Sequence, residues 1–128
     1  MVVHLFGLCA PMDEIKAIAG DIPLIEDGAC AAGSAYKGVP AGGLGLMGCF
    51  SFHPRKSITT GEGGMIVTDD PVLAEKCRGL RNLCFQAQRR FVHEELGWNF
   101  RMTNLQAALG LAQLESLDRH LDRKRAMG

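Results

Sequence analysis

The sequence predicts an α/β fold in three layers, a mostly parallel sheet with flanking helices. Three observations carry this. The first 27 residues run apolar strand, helically spaced segment, apolar strand, with short links between them, which is the pattern of a βαβ unit. Two further strand-like runs, residues 48–52 (GCFSF) and 64–68 (GMIVT), follow a stretch dense in glycine. Two later segments then carry helix-start signals, Asp70-Pro71 and Thr103-Asn104.

Taken in order, residues 2–6 read as a strand buried on both faces and stopped by Gly7. Pro11 and Asp13 open a helix with Met12, Ile15, Ile18 and Ala19 at helical spacing, and Gly20 closes it. Residues 22–25 read as the second strand, ended by the acidic pair Glu26 and Asp27. The small residues from 28 to 48 read as loop, 53–63 as a polar turn, and Asp70-Pro71 starts a helix to about Asn82. A polar loop covers 86–93. One last helix then follows, with Leu105, Ala108, Leu109, Ala112, Leu117 and Leu121 as its apolar stripe.

Composition narrows the function classes. The 128 residues carry 14 Lys+Arg and 14 Asp+Glu, and this balance argues against nucleic acid or an anionic membrane as partner. No apolar run approaches a membrane span, and the start lacks the basic region of a signal peptide, so a cytoplasmic protein is expected. Cys9, Cys30, Cys49, Cys77 and Cys84 are odd in number with no CxxC, a pattern of small buried apolar residues rather than of disulfides or zinc. His4, His53, His93 and His120 share no metal-ligand spacing, so no metal is expected.

Several motifs can be weighed on their chemistry. Residues 43–48 match GxGxxG, but a loop precedes them and a strand follows, the reverse of a dinucleotide fingerprint. Asp27 stands at the carboxyl end of a predicted parallel strand, where open α/β sheets bind ligands. It is either a cap or surface carboxylate, or a group that pairs with a cationic heterocycle, takes a metal or acts as a base. Lys56 lies in the turn just past a strand, either solvated or a Schiff-base nucleophile. Arg55 and the hydroxyls of Ser51, Ser57, Thr59 and Thr60 around it would suit a phosphate-bearing ligand. Trp98 and Phe100 read as core, with Arg101 exposed; the alternative for this patch, which includes Asn99, is a contact with a partner subunit.

Three segments in order, IEDGACAAGSAYKG, GCFSFHPRKSITTGEGGMIVTDD and LGWNFRMTNLQAALGLAQLESLD, resemble the DegT/StrS family of pyridoxal-phosphate (PLP) sugar aminotransferases, which have the aspartate-aminotransferase fold. The resemblance covers almost the whole chain. It implies that Asp27 pairs with the protonated ring nitrogen of PLP and that Ser51 holds the cofactor phosphate. Lys56 would form the Schiff base and move the proton between the substrate Cα and the cofactor. Asn99 would reach toward the phosphate in a partner subunit's site. The family often has glutamine near the ring hydroxyl where Cys30 stands here, a difference that implies altered tuning rather than lost activity.

The resemblance implies transamination of a nucleotide-linked keto-sugar, with glutamate as amino donor, in surface-polysaccharide or amino-sugar biosynthesis by a homodimer. Two alternatives stand beside it. One is a PLP-dependent sugar dehydratase of the same family, a subgroup with histidine where Lys56 stands; the other is an inactive or regulatory fragment. Family members are much longer than 128 residues. Residues 1–128 are therefore expected to be the central part of the large domain, without the upstream phosphate cup or the C-terminal small domain, and to have little activity alone.

Overall fold

The computed structural model describes residues 1–127. In chain order its elements are β1 (Val2–Val3), α1 (Met12–Ala19), β2 (Ile25–Asp27), β3 (Ala35–Tyr36), β4 (Val39–Pro40), β5 (Met47–Ser51), β6 (Gly64–Val67), α2 (Pro71–Leu80), α3 (Asn104–Leu114) and α4 (Leu117–Met127). The main sheet has the order β1-β2-β5-β6, with β1–β2 and β2–β5 parallel and β5–β6 antiparallel. The expected βαβ unit is present, and the sheet is mixed but mostly parallel.

Register divides the sheet into two faces. Val2 pairs with Glu26 and Glu26 with Gly48, while Val3 pairs with Asp27 and Asp27 with Cys49. Because side chains alternate along a strand, Val2, His4, Glu26 and Gly48 share one face, and Val3, Asp27, Cys49 and Ser51 share the other. The first face holds the core, where Val2 packs with Cys9, Met12 of α1, Ala31, Ala41 and Leu44. Residues 2–6 are thus not a strand buried on both sides. Val2 and His4 are buried, Val3 and Leu5 are exposed, and the positive φ of Phe6 (51°) and Gly7 (88°) turns the chain away after His4. Strand β2 starts later than expected and includes Glu26 and Asp27; Pro23 has no N–H to give to a ladder.

Residues 28–48 hold a small hairpin, β3–β4, inside the expected loop. Lys37 (φ 49°) and Gly38 (φ 84°) form its turn, and the Lys37 ammonium bonds the Asp13 carboxylate of α1. Helix α2 starts as expected: Asp70 Oδ1 accepts from Val72 N–H at 2.8 Å and Leu73 N–H at 3.1 Å, and Pro71 occupies the first turn. Of the five cysteines, only Cys9 is buried; Cys30 is exposed and the other three are half-buried.

The single last helix of the sequence reading is two helices broken at residues 115–116. Helix α3 opens with a capping box between Thr103 and Gln106. It lays its polar side on the turn after β5. Gln113 Nε2 donates to Thr59 O at 2.7 Å, Thr59 N–H donates to Gln113 Oε1 at 3.0 Å, and Gln106 Nε2 donates to Glu62 O at 3.2 Å. The expected stripe of Leu105, Ala108, Leu109 and Ala112 is exposed instead. An irregular turn offers unpaired backbone groups, and amides satisfy them where leucines cannot. The Ser116 hydroxyl bonds back to Gln113 O, and α4 then runs back so that Leu121 and Arg125 meet Gly33.

Candidate active site

Two strand ends position the site. Asp27 is the last residue of β2 and Ser51 the last of β5, on the same face by register and at the carboxyl edge of adjacent parallel strands. The backbone holds Asp27 on both sides: His4 N–H donates to Asp27 O at 3.0 Å, and Gly28 N–H donates to Cys49 O at 2.8 Å. Its side chain is half-buried, and among the described residues the one donor to its carboxylate is Ala29 N–H, at 3.0 Å to Oδ1. The carboxylate therefore keeps acceptor capacity for a ligand.

Lys56 is held by the folding of the turn after β5. Phe52 N–H donates to Gly63 O at 2.9 Å, Thr60 N–H to Phe52 O at 3.0 Å, and Lys56 N–H to His53 O at 3.0 Å. The half-buried Lys56 side chain reaches back to the loop after β2, where Nζ donates to Cys30 Sγ at 3.0 Å. Asp27, Cys30, Ser51 and Lys56 thus converge on one edge of the sheet. The hydroxyls expected around them are only partly available. Thr59 Oγ1 donates to Phe52 O and Thr60 Oγ1 to Glu62 O, so both serve the turn rather than a phosphate. Ser51 Oγ accepts weakly from His53 N–H at 3.3 Å and can turn to a ligand.

Asn99 lies elsewhere. It bridges to Asn82 and lines an open cavity of about 970 Å³ between β5, β6 and α2, which none of Asp27, Cys30, Ser51 and Lys56 lines. Trp98 and Phe100 beside it are not core: they are 44% and 72% exposed, with parallel rings 6.2 Å apart.

One residue of consequence was missed in the sequence. Glu26 is fully buried on the core face, and its carboxylate accepts four hydrogen bonds. Oε2 takes His4 Nε2 at 2.9 Å and Gly42 N–H at 2.7 Å; Oε1 takes Leu44 N–H at 2.7 Å and Gly45 N–H at 2.5 Å. Ala10 N–H donates to His4 Nδ1 at 3.1 Å, which leaves the ring proton on Nε2, pointing at Glu26. Burial alone pushes the Glu26 carboxyl up, but the Gly42, His4, Gly45 and Leu44 donors together hold it below the ordinary glutamate value. The signal available was the acidic pair itself: in a strand with one face in the core, one of two adjacent carboxylates must point inward.

Comparison with known proteins finds both sequence relatives and solved structures similar to this chain. GDP-perosamine synthase of Caulobacter vibrioides is 49% identical over 131 residues, covering 100% of this chain and 35% of that protein. The solved structure of Helicobacter pylori PseC, an aminotransferase involved in the biosynthesis of pseudoaminic acid, matches 91% of this chain with TM-score 0.85 and 33% identity, covering 32% of PseC. E. coli GDP-4-keto-6-deoxy-D-mannose-3-dehydratase with bound hydrated PLP matches 98% of this chain with TM-score 0.89 and 32% identity, covering 38% of that enzyme. The chain thus spans about a third of the length of these relatives. The sequence pattern of one family matches residues 1–128 throughout, and the chain belongs to the DegT/DnrJ/EryC1/StrS aminotransferase family.

Proposed function

We propose that this chain is the central part of the large domain of a PLP-dependent transaminase that aminates a nucleotide-linked keto-sugar. The observation that carries the reading is the reach of Lys56 Nζ to Cys30 Sγ, which sets a lone amine at the strand edge that also bears Asp27 and Ser51. The donor set fits PLP: an amine for the aldehyde, a carboxylate with spare acceptor capacity for the ring nitrogen, and a hydroxyl for the phosphate. When bound, the cofactor supplies an electron sink for the bond broken at the substrate carbon. Asp27 holds a proton at the ring nitrogen, Ser51 and Cys30 orient the phosphate end and the ring hydroxyl, and Lys56 Nζ carries the proton to and from the reacting carbon.

The dehydratase is the second reading, since two of the matching structures are dehydratases. Lys56 favours transamination, because a proton-shuttling amine is what that reaction needs. On the same reading glutamate is the donor and the product feeds amino-sugar or surface-polysaccharide synthesis. The parent works in the cytoplasm as a homodimer, with Asn99 serving the partner subunit's site. The test is Lys56→Ala in the complete protein. Turnover of a nucleotide-linked keto-sugar should be abolished with the circular dichroism spectrum unchanged; near-normal turnover would remove the assigned mechanism.

A further inference from the structure

A buried carboxylate is tolerated only where its lone pairs are met, and a position that merely needed filling would be served by an apolar residue. Glu26 has about four lone-pair sites, and all are taken. The donors come from three separate places: His4 at the end of β1, and Gly42 and the Leu44-Gly45 pair ahead of β5. The segment they belong to lies hard against β2. Leu46 N–H donates to Leu24 O at 2.8 Å, and a Cβ on Gly45 would stand 2.5 Å from that same oxygen. One side chain therefore joins β2 to the residue that follows β1 and to the loop that leads into β5. Its neighbour Asp27 projects from the opposite face.

We propose that Glu26 is a positioning residue for Asp27. The clamped carboxylate fixes the rotation of the β2 end and its registry with β5, and so fixes where the Asp27 carboxylate stands relative to Ser51 and Lys56. The proposal rests on the functional reading only in giving Asp27 its task. Replacing Glu26 by glutamine would turn an NH2 group toward one pair of donors, so one side of the clamp would open.

The test uses the complete protein, selectively 15N-labelled at alanine, with two readouts. The resonance position of the Ala29 amide at neutral pH reports its hydrogen bond to the Asp27 carboxylate and needs no cofactor. PLP affinity, followed by cofactor absorbance, reports the assembled site. Glu26→Gln should move the Ala29 amide resonance toward its position in Asp27→Asn and weaken PLP binding about tenfold, the equivalent of one lost charge-assisted hydrogen bond. His4→Gln, which keeps a donor toward Glu26, should stay near wild type, while His4→Leu should follow Glu26→Gln. Val2→Ala, an apolar change on the same face, should lower stability and leave both readouts alone.

An Ala29 resonance position and a PLP affinity in Glu26→Gln that match Val2→Ala would overturn the proposal. If Glu26→Gln does not fold, His4→Leu removes one donor of four and decides by the same readouts. A wild-type protein that fails to bind PLP would refute the functional reading, and the Ala29 resonance would still decide the role of Glu26.

Discussion

Glu26 and Asp27 are adjacent in the chain and opposite in environment, and this contrast sets the acid behaviour expected of the fold. The hydrogen bonds to Glu26 hold its carboxyl below the ordinary value, so its stabilising contribution is present above the glutamate range and lost as pH falls through the lowered folded value. Stability should fall steadily below about pH 4, with a shallower acid limb in Glu26→Gln, read from urea midpoints across pH. The thiols divide in the same way. Burial, with the Glu26 charge adding, pushes the Cys9 thiol up, and burial with the Asp27 and Cys77 groups adding does the same for Cys49. Iodoacetamide followed by peptide mass mapping should therefore label exposed Cys30 well before Cys9 or Cys49. The places of Asp27 at a strand end and of Lys56 in a turn were legible in the sequence, because strand ends and turns leave a local pattern. The Glu26 clamp was not, because three of its four donors are backbone N–H groups 16 to 19 residues away, which leave no mark in side-chain chemistry.

At the scale of elements, local capping signals were the most readable feature. Asp70-Pro71 and Thr103 start their helices as expected, and Asp70→Ala should cost about 1 kcal/mol in urea denaturation by releasing two helix N–H groups. The glycine-rich stretch announced close approach without saying to what. It folds against β2 and β5, and a Cβ on Gly48 would stand 2.4 Å from Gly42 Cα. Gly48→Ala should therefore lower stability by about 1–3 kcal/mol and loosen the segment that binds Glu26. Two elements were hidden for different reasons. The β3–β4 hairpin turns on Lys37-Gly38 rather than the Asn-Gly pair that marks such turns, and two-residue strands carry no periodicity. In α3 the apolar pattern was real but misassigned, because the neighbour of the helix is a turn with unpaired backbone groups, and Gln106 and Gln113 serve it.

Across the whole molecule, exposed apolar side chains gather away from the edge that bears Asp27 and Lys56. Phe100, Leu105 and Leu111 are exposed on the segment that carries Asn99, and the relatives this chain matches are about three times its length. The isolated 128 residues should accordingly show little transaminase turnover, and robust turnover by them would show that the site needs no further part. The family was legible because three motifs stand in order along the chain; the sugar and the donor leave no trace in these residues. The central claim is that Lys56 is the amine that takes the cofactor, and borohydride reduction of the protein with PLP, followed by peptide mass mapping, tests it most directly. A stable adduct confined to Lys56, with Lys16, Lys37, Lys76 and Lys124 unlabelled, is the expected result; in the complete protein, an adduct scattered over the other lysines, or none at Lys56, would contradict it.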